Sequence, residues 1–161
     1  MSALVRRLGP GDVPRLLDLI DGLADYEKLP RPEPAARERL TADAFADPPR
    51  FHALLAEVDG EVVGYAMFFF TYSSFRGQRS LYLEDLFVLP DKRGLGAGLG
   101  LFRACAAEAV RQGCGRMEWQ VLSWNEPSIR FYEQLGARHM DDWLPFRLDG
   151  AALERVGTPS P

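Results

Sequence analysis

A run of alternating glycines is the stretch of this sequence that most directly suggests chemistry. It follows a hydrophobic strand pattern and precedes an amphipathic helix pattern. Glycine leaves backbone N–H groups unshielded, and the N-terminus of a helix attracts negative charge. The run therefore predicts a cradle for a phosphate or pyrophosphate, formed by Arg93, Gly94, Leu95, Gly96, Ala97, Gly98 and Leu99.

Two common phosphate-binding motifs are excluded by the residues around these glycines. A Walker-type loop ends in Gly-Lys-Ser or Gly-Lys-Thr, and the sequence contains neither Lys-Ser nor Lys-Thr. A dinucleotide fingerprint fails because Leu99, Leu101 and Arg103 stand where its last glycine is required. The pattern that remains is Arg-x-x-Gly-x-Gly, which begins at Arg93 and includes Gly96 and Gly98.

Two adjacent acids interrupt the apolar strand pattern just before the glycine run. Glu84 and Asp85 break the alternation of residues 81–88. A solvated strand face is the simpler interpretation. Adjacent carboxylates inside such a strand otherwise indicate a β-bulge or a site that receives a cation.

The remaining patterns predict the elements that would position the loop and the acids. In chain order they are a strand (3–7), a helix after Asp12, a weaker helix ending near Phe45, three antiparallel strands (51–58, 61–71, 81–88), a helix after the glycines, a strand (116–121), a helix from Glu126 to Leu135 and a strand pair (137–148). Asp59-Gly60 is a hairpin signal between two of these strands. The length predicts one domain over residues 1–156, with a disordered tail at 157–161.

Composition excludes several classes of function. The chain is 47% hydrophobic and 26% charged, with a net charge of −4, which disfavours nucleic-acid binding. No run is long and apolar enough for a membrane span, and no signal peptide is expected. Two cysteines and two histidines without ligand spacing predict no metal site and a cytoplasmic location.

The loop motif and the element order resemble the GCN5-related N-acetyltransferase (GNAT) superfamily. Four stretches are similar to its spermidine/spermine and thialysine N-acetyltransferase family: Tyr26-Glu27, Phe70-Thr71-Tyr72, residues 82–88 and residues 124–132, which include Trp-Asn-Glu-Pro-Ser. The resemblance implies an α/β (α+β) fold, with a mixed, mostly antiparallel sheet and helices on both faces. It also implies an acetyl-CoA-dependent enzyme that acetylates the primary amine of a small cationic substrate, and a homodimer. Phe68, Phe69 and Phe75 fit a dimer because not all three are expected in the core.

The same resemblance implies roles for individual residues. Glu84 would be the general base, directly or through a water, and Tyr132 the general acid. Acetyl-CoA would be bound by backbone groups of Leu86, Phe87 and Val88, by the glycine loop, and by Asn125 and Ser128. Asn125 is equally suited to cap the following helix. The amine would meet Tyr26, Glu27, Glu84 and Asp85, with Asp141 or Asp142 as a further carboxylate.

Three positions favour a thialysine-type substrate over a polyamine. Ser73 and Ser74 stand where polyamine-type members have Asp-Pro, and Leu122 stands where they have a small residue. Hydroxyls at the serines would receive an amino-acid carboxylate, and the leucine would narrow the pocket. The alternatives are a spermidine/spermine N1-acetyltransferase, a protein or peptide N-acetyltransferase, and a non-catalytic acetyl-CoA sensor.

Overall fold

A computed structural model describes residues 3–159 of the chain. Within this range the elements are β1 (Leu4–Arg7), α1 (Val13–Glu27), α2 (Pro34–Ala44), β2 (His52–Val58), β3 (Glu61–Ser73), β4 (Gln78–Val88), α3 (Ala97–Arg111), β5 (Met117–Glu118), α4 (Glu126–Gln134) and α5 (Gly150–Gly157). The chain divides into two compact units, the first ending at Leu122 and the second beginning at Ser123. The expectation of one domain over 1–156 stays a prediction.

The first unit is built on a sheet whose spatial order follows the chain, β1-β2-β3-β4-β5. The first four strands are antiparallel, and β5 runs parallel to β4. Asp59 and Gly60, with φ of 52° and 81°, form the two-residue turn between β2 and β3. This confirms the hairpin signal, since such turns require positive φ at both positions.

Alternate residues of the strands face two separate apolar clusters. One face packs against α1 through Leu16 and Leu19, with Leu55, Tyr65, Met67 and Phe87 supplied by the sheet. The opposite face packs against α3 through Leu101 and Cys105, with Ala66, Phe68 and Leu83 from the strands. The period of two in a strand produces this division. The predicted mostly antiparallel sheet with helices on both faces is confirmed.

The second half of the chain corrects several predicted elements. The strand expected at 116–121 is reduced to Met117–Glu118. Residues 137–148 form no strand, because within the second unit no described segment offers an edge for their backbone to pair with. Residues 150–157, which include good helix formers, make the unpredicted α5. Gly157 therefore ends a helix, and of the expected tail Ser160 and Pro161 lie outside the described residues.

The apolar residues of α3 and of the β3–β4 hairpin differ in exposure. Helix α3 buries Ala97, Leu101, Cys105 and Ala109, whereas Val110 is 79% exposed. The three phenylalanines that were not all expected to lie in the core differ in environment. Phe68 is fully buried, Phe69 lies against Tyr82 with the rings tilted and their centroids 5.2 Å apart, and Phe75 is fully exposed.

Candidate active site

Glu84 is an extra residue in β4. Consecutive residues of β3 pair with non-consecutive residues of β4, Met67 with Asp85 and Phe68 with Leu83. Glu84 is left without a cross-strand partner, and its side chain is exposed. This is the geometry of a β-bulge, so the predicted break in alternation is a real feature of the strand.

The bulge reverses the direction in which later backbone groups of β4 point. Before it, the N–H of Leu81 donates to the carbonyl of Arg116 on the β5 side, at 3.0 Å. After it, the N–H of Leu89 donates to the carbonyl of Val63 on β3, at 2.9 Å. Backbone N–H groups alternate along a strand, so two odd-numbered residues would face the same neighbour without the extra residue Glu84.

The amides of Leu86 and Val88 consequently point away from β3. The Val88 carbonyl confirms this direction, because it accepts a hydrogen bond from Arg93 Nε at 3.1 Å instead of one from β3. Phe87 has the opposite orientation. Its carbonyl oxygen approaches β3 so closely that a Cβ on Gly64 would lie 2.6 Å from it. Of the three predicted backbone contacts, Leu86 and Val88 thus face the outer side of β4 and Phe87 faces the sheet.

That outer side is open because β5 is short. Its described pairing with β4 consists of Leu81 with Met117 and Tyr82 with Glu118. Beyond Tyr82, β4 has no paired strand on this side among the described residues. Unpaired strand edges offer donors and acceptors to a ligand in extended conformation. The opening therefore presents the Leu86 and Val88 amides.

The glycine loop follows at the end of this open edge. Gly94 and Gly96 have φ of 81° and 83°, a conformation that side chains rarely adopt. A Cβ at either position would meet nothing within 4 Å, so this backbone faces open space. Helix α3 begins at Ala97, and Gly100 N–H makes its first bond to the Gly96 carbonyl at 2.9 Å.

The backbone N–H groups of Ala97, Gly98 and Leu99 come before that first helical bond, which is the arrangement that receives anions at a helix N-terminus. Leu95 is exposed beside them. These residues fit a diphosphate group. Lys92, which would add positive charge, instead pairs with Glu61, at 3.0 Å between Nζ and Oε2.

Asp85 is held by a phenol that the sequence analysis overlooked. The Tyr65 hydroxyl donates to Asp85 Oδ2 at 2.9 Å. Burial raises the pKa of Asp85 to about 6, the Tyr65 hydrogen bond opposes the rise, and the charges of Glu84 and Glu27 add to it. Asp85 thus titrates close to neutral pH, unlike an ordinary carboxyl.

The end of α1 supplies the third acid. Glu27 is the last residue of that helix, and burial raises the pKa of its carboxyl. Its charge also raises the pKa of Asp85 and Tyr65, which places it in the same electrostatic environment. The preceding residue, Tyr26, lies under the Arg93 guanidinium, 4.6 Å from ring centroid to Cζ. We call Glu27, Glu84 and Asp85 the acid cluster.

Helix α4 of the second unit contains the other predicted residues. The Asn125 side chain accepts from the backbone N–H of Ser128 at 3.4 Å and so caps the helix, as predicted. Tyr132 is half-buried, one turn beyond Ser128 on the same helix face. Its ring lies edge-on to Phe131, which is itself half-buried, at 5.3 Å. Burial raises the pKa of Tyr132 to about 12.

Two of the other predicted substrate residues, Ser73 and Ser74, are not brought to the acid cluster. Ser73 pairs with Gln78 at the far end of the β3–β4 hairpin, six residues from Met67, or about 20 Å along the strand. Ser74 is exposed in the turn, and Leu122 is partly exposed at the end of the first unit. Asp141 and Asp142 are exposed in the second unit.

The missed residue, Tyr65, gave a weak signal in the sequence. It lies within an apolar run and is fully buried, as an ordinary core aromatic would be. A buried phenol nevertheless needs a hydrogen-bond partner. The register that brings Tyr65 to Asp85 depends on the bulge, so only the combination of the hairpin and the broken alternation would have indicated the pair.

Comparison with known proteins shows the family to which the chain belongs. The sequence model of the acetyltransferase (GNAT) family matches residues 16–137. The chain is 37% identical to thialysine N-epsilon-acetyltransferase of Sus scrofa over 96% of its length and 97% of the relative. It is 34% identical to spermidine/spermine N(1)-acetyltransferase-like protein 1 of Homo sapiens, over 92% of this chain and 23% of that protein. An integron cassette protein of V. cholerae shares the fold, with a TM-score of 0.82, 24% identity and 99% coverage of both chains.

The fold and the family match define this chain as an acetyltransferase. It belongs to the GNAT family and is an N-acetyltransferase. Enzymes of this family use acetyl-CoA as cosubstrate. Among residues 3–159 no group of three or more His, Cys, Asp or Glu side chains, the acid cluster included, is arranged so that it could hold a metal ion. No helix within that range is long and apolar enough to cross a membrane.

Proposed function

We propose that this enzyme transfers an acetyl group from acetyl-CoA to the primary amine of a small cationic substrate. The observation that carries the proposal is the acid cluster beside the open edge of β4. Three carboxylates without a basic partner among the described ion pairs suit a cation, and unpaired amides next to a glycine loop suit an extended, phosphorylated carrier.

The cosubstrate would be held by backbone groups. We assign the outward amides of Leu86 and Val88 to its extended arm, and the N–H groups from Gly94 to Leu99 to its diphosphate. Asn125 and Ser128 of the second unit are assigned to the arm as well, on the family resemblance. When bound, acetyl-CoA supplies an acetyl group activated as a thioester.

Removal of a proton from the amine is assigned to Glu84. An alkyl ammonium has a pKa near 10.4, so fewer than about one molecule in a thousand is nucleophilic at neutral pH. A carboxylate that accepts this proton, directly or through a water, raises the reactive fraction at the site. The bulge supports the assignment because it turns Glu84 out of the strand pairing while keeping it next to Asp85.

Proton donation to the departing thiolate is assigned to Tyr132. With a pKa of about 12, its phenol keeps its proton at neutral pH. A donor must be protonated before the leaving group develops charge, and a half-buried phenol satisfies that requirement. The assignment of this role to Tyr132, a residue of α4, rests on the family resemblance.

For the amine itself we propose a thialysine-like substrate, with spermidine or spermine as the alternative. Support comes from the Sus scrofa relative, matched over nearly its whole length, and from Leu122, a bulky residue that would restrict longer amines. Ser73 and Ser74 match the same subgroup by type. Their place in the hairpin argues against a direct role beside the acid cluster of the same chain.

We further propose that the enzyme is a cytoplasmic homodimer. Phe75 is fully exposed in the first unit, and Trp143, Leu144 and Phe146 are largely exposed in the second. Exposed apolar residues of this size are typical of surfaces that are covered in an assembly. Cys105 and Cys114 are both free thiols, which agrees with a reducing compartment.

The test is an acetylation assay with acetyl-CoA and a panel of thialysine, spermidine, lysine and a histone-like peptide. We expect kcat/KM to be highest for thialysine and lowest for the peptide. A large preference for spermidine would replace thialysine with a polyamine, and a preference for the peptide would indicate a protein acetyltransferase. Binding of acetyl-CoA without acetylation of any amine would make the protein a sensor.

A further inference from the structure

Tyr65 lies beneath the acid cluster, on the face of β3 that packs against α1. Its side chain is fully buried, and its hydroxyl is 2.9 Å from Asp85 Oδ2. The neighbouring β4 partner of Tyr65 is Phe87, two residues beyond Asp85. Burial and the nearby acids raise the pKa of Tyr65, so the phenol keeps its proton at neutral pH.

Three elements packed around the Tyr65–Asp85 pair contribute the titratable groups that face it. β4 contributes Glu84 and Asp85, β3 contributes Tyr65, and α1 contributes Glu27. None of the described ion pairs includes a carboxylate of the acid cluster. Two negative neighbours and partial burial therefore both oppose ionisation of Asp85, and the phenol is the one group among these that favours it.

We propose that Tyr65 is a positioning residue, which fixes the Asp85 carboxylate by a hydrogen bond to one oxygen and leaves the other oxygen available to a cationic amine. The inference rests on the proposed function for its substrate, and on the Tyr65–Asp85 geometry for everything else. Without the phenol, Asp85 would rotate freely and take up a proton more readily.

The hydrogen bond between Tyr65 and Asp85 does more than give a buried phenol a partner. Burial raises the pKa of Asp85, so the hydrogen bond from Tyr65 stabilises a carboxylate whose charged form burial disfavours. The phenol donates to Oδ2 alone, and the hydrogen bonds of the described residues include none to the other oxygen of Asp85. A carboxylate fixed from beneath loses less rotational freedom when it binds a ligand.

The test compares Tyr65→Phe with wild type in two measurements. The first is the titration of the Asp85 carboxyl carbon by NMR in protein labelled at aspartate, with the resonance assigned through Asp85→Asn. We expect the midpoint to rise from about 6 by about one pH unit, since a hydrogen bond to a charged group is lost.

The second measurement is the pH profile of kcat/KM for thialysine. The ionised fraction of Asp85 at pH 6 would then fall about five-fold, whereas at pH 9 it would hardly change. Tyr65→Phe should therefore lose about five-fold activity at pH 6 and almost none at pH 9. A structural defect would lower activity by the same factor at both. Tyr72→Phe, which removes an exposed phenol from the same strand, is the matched control and should match wild type.

An unchanged Asp85 midpoint in Tyr65→Phe, or a loss of activity independent of pH, would overturn the proposal. Should the wild type acetylate no amine at all, the proposed function fails instead, and the carboxyl titration alone decides whether Tyr65 controls Asp85. Circular dichroism of each variant verifies that it is folded before either result is interpreted.

Discussion

The guanidinium of Arg93 stacks on the ring of Tyr26, with Cζ 4.6 Å from the ring centroid. This contact joins the first residue of the glycine loop to the end of α1, next to Glu27. The same guanidinium donates to the Val88 carbonyl at the open edge of β4. One side chain therefore connects the proposed cosubstrate loop with the helix end that supplies an acid to the proposed amine site.

Loss of the Tyr26 ring should weaken acetyl-CoA binding although Tyr26 belongs to the substrate side. A cation–π contact contributes about 0.5–2 kcal/mol, so we expect Tyr26→Ala to raise the Kd of acetyl-CoA about two- to thirty-fold. Tyr26→Phe keeps the ring and should stay near wild type. Isothermal titration calorimetry measures both. Equal affinity in Tyr26→Ala and wild type would show that the stack does not hold the loop.

Asp85 should make the folded protein less stable at high pH. Its folded-state pKa of about 6 lies above the unfolded value, so its contribution favours the folded state below pH 4 and is lost as the pH rises through 6. We expect Asp85→Asn to increase the free energy of unfolding at pH 8, by at most about 3 kcal/mol, and to change it little at pH 4. Urea denaturation at the two pH values tests this. Destabilisation at pH 8 would contradict it.

Substitution of Glu84 should impair the reaction without weakening the binding of the cosubstrate. Glu84→Gln removes the proposed proton acceptor and keeps the size of the side chain. We expect kcat to fall about 10²- to 10⁴-fold, with the Kd of acetyl-CoA unchanged. Glu61→Gln, which changes an exposed acid paired with Lys92, is the control. A fall in kcat of less than about ten-fold would remove Glu84 from the role of base.

Tyr132→Phe tests the proton donor on α4. The ring and its contact with Phe131 are retained, so the helix should keep its stability. If the phenol supplies the proton, kcat should fall about 10²-fold or more. The activity of wild type should also decline as the pH approaches the phenol's pKa of about 12, and the remaining activity of the variant should not show this decline. Burst kinetics distinguish slow chemistry from slow product release. Full activity in this variant would exclude Tyr132.

Local signals in the sequence were sufficient to predict much of the structure of the first unit. The turn at Asp59-Gly60 fixed the hairpin, since two residues with positive φ have few alternatives. The phosphate-loop interpretation of Gly94 and Gly96 agrees with their positive φ and open surroundings. The broken alternation at Glu84 corresponds to the bulge. Each of these features depends on only a few neighbouring residues.

What could not be predicted depends on partners distant in the chain. The outward direction of Leu86 and Val88, and the inward direction of Phe87, follow from the exact position of the extra residue relative to β3. In the sequence, Tyr65 has the surroundings of an ordinary core residue. Its pairing with Asp85 follows only from the register of β3 against β4. Residues 137–148 were predicted to form a strand pair, but a local pattern says nothing about whether an edge is available for pairing.

The most direct test of the account is calorimetric titration of acetyl-CoA into wild type and into Gly96→Val. Gly96 has a φ of 83°, where a β-branched residue is strained and its side chain would shield the loop amides. We predict binding of one acetyl-CoA per chain in wild type and at least about a ten-fold weaker Kd in the variant. Absence of binding to wild type, or equal affinity in the two proteins, would contradict the account.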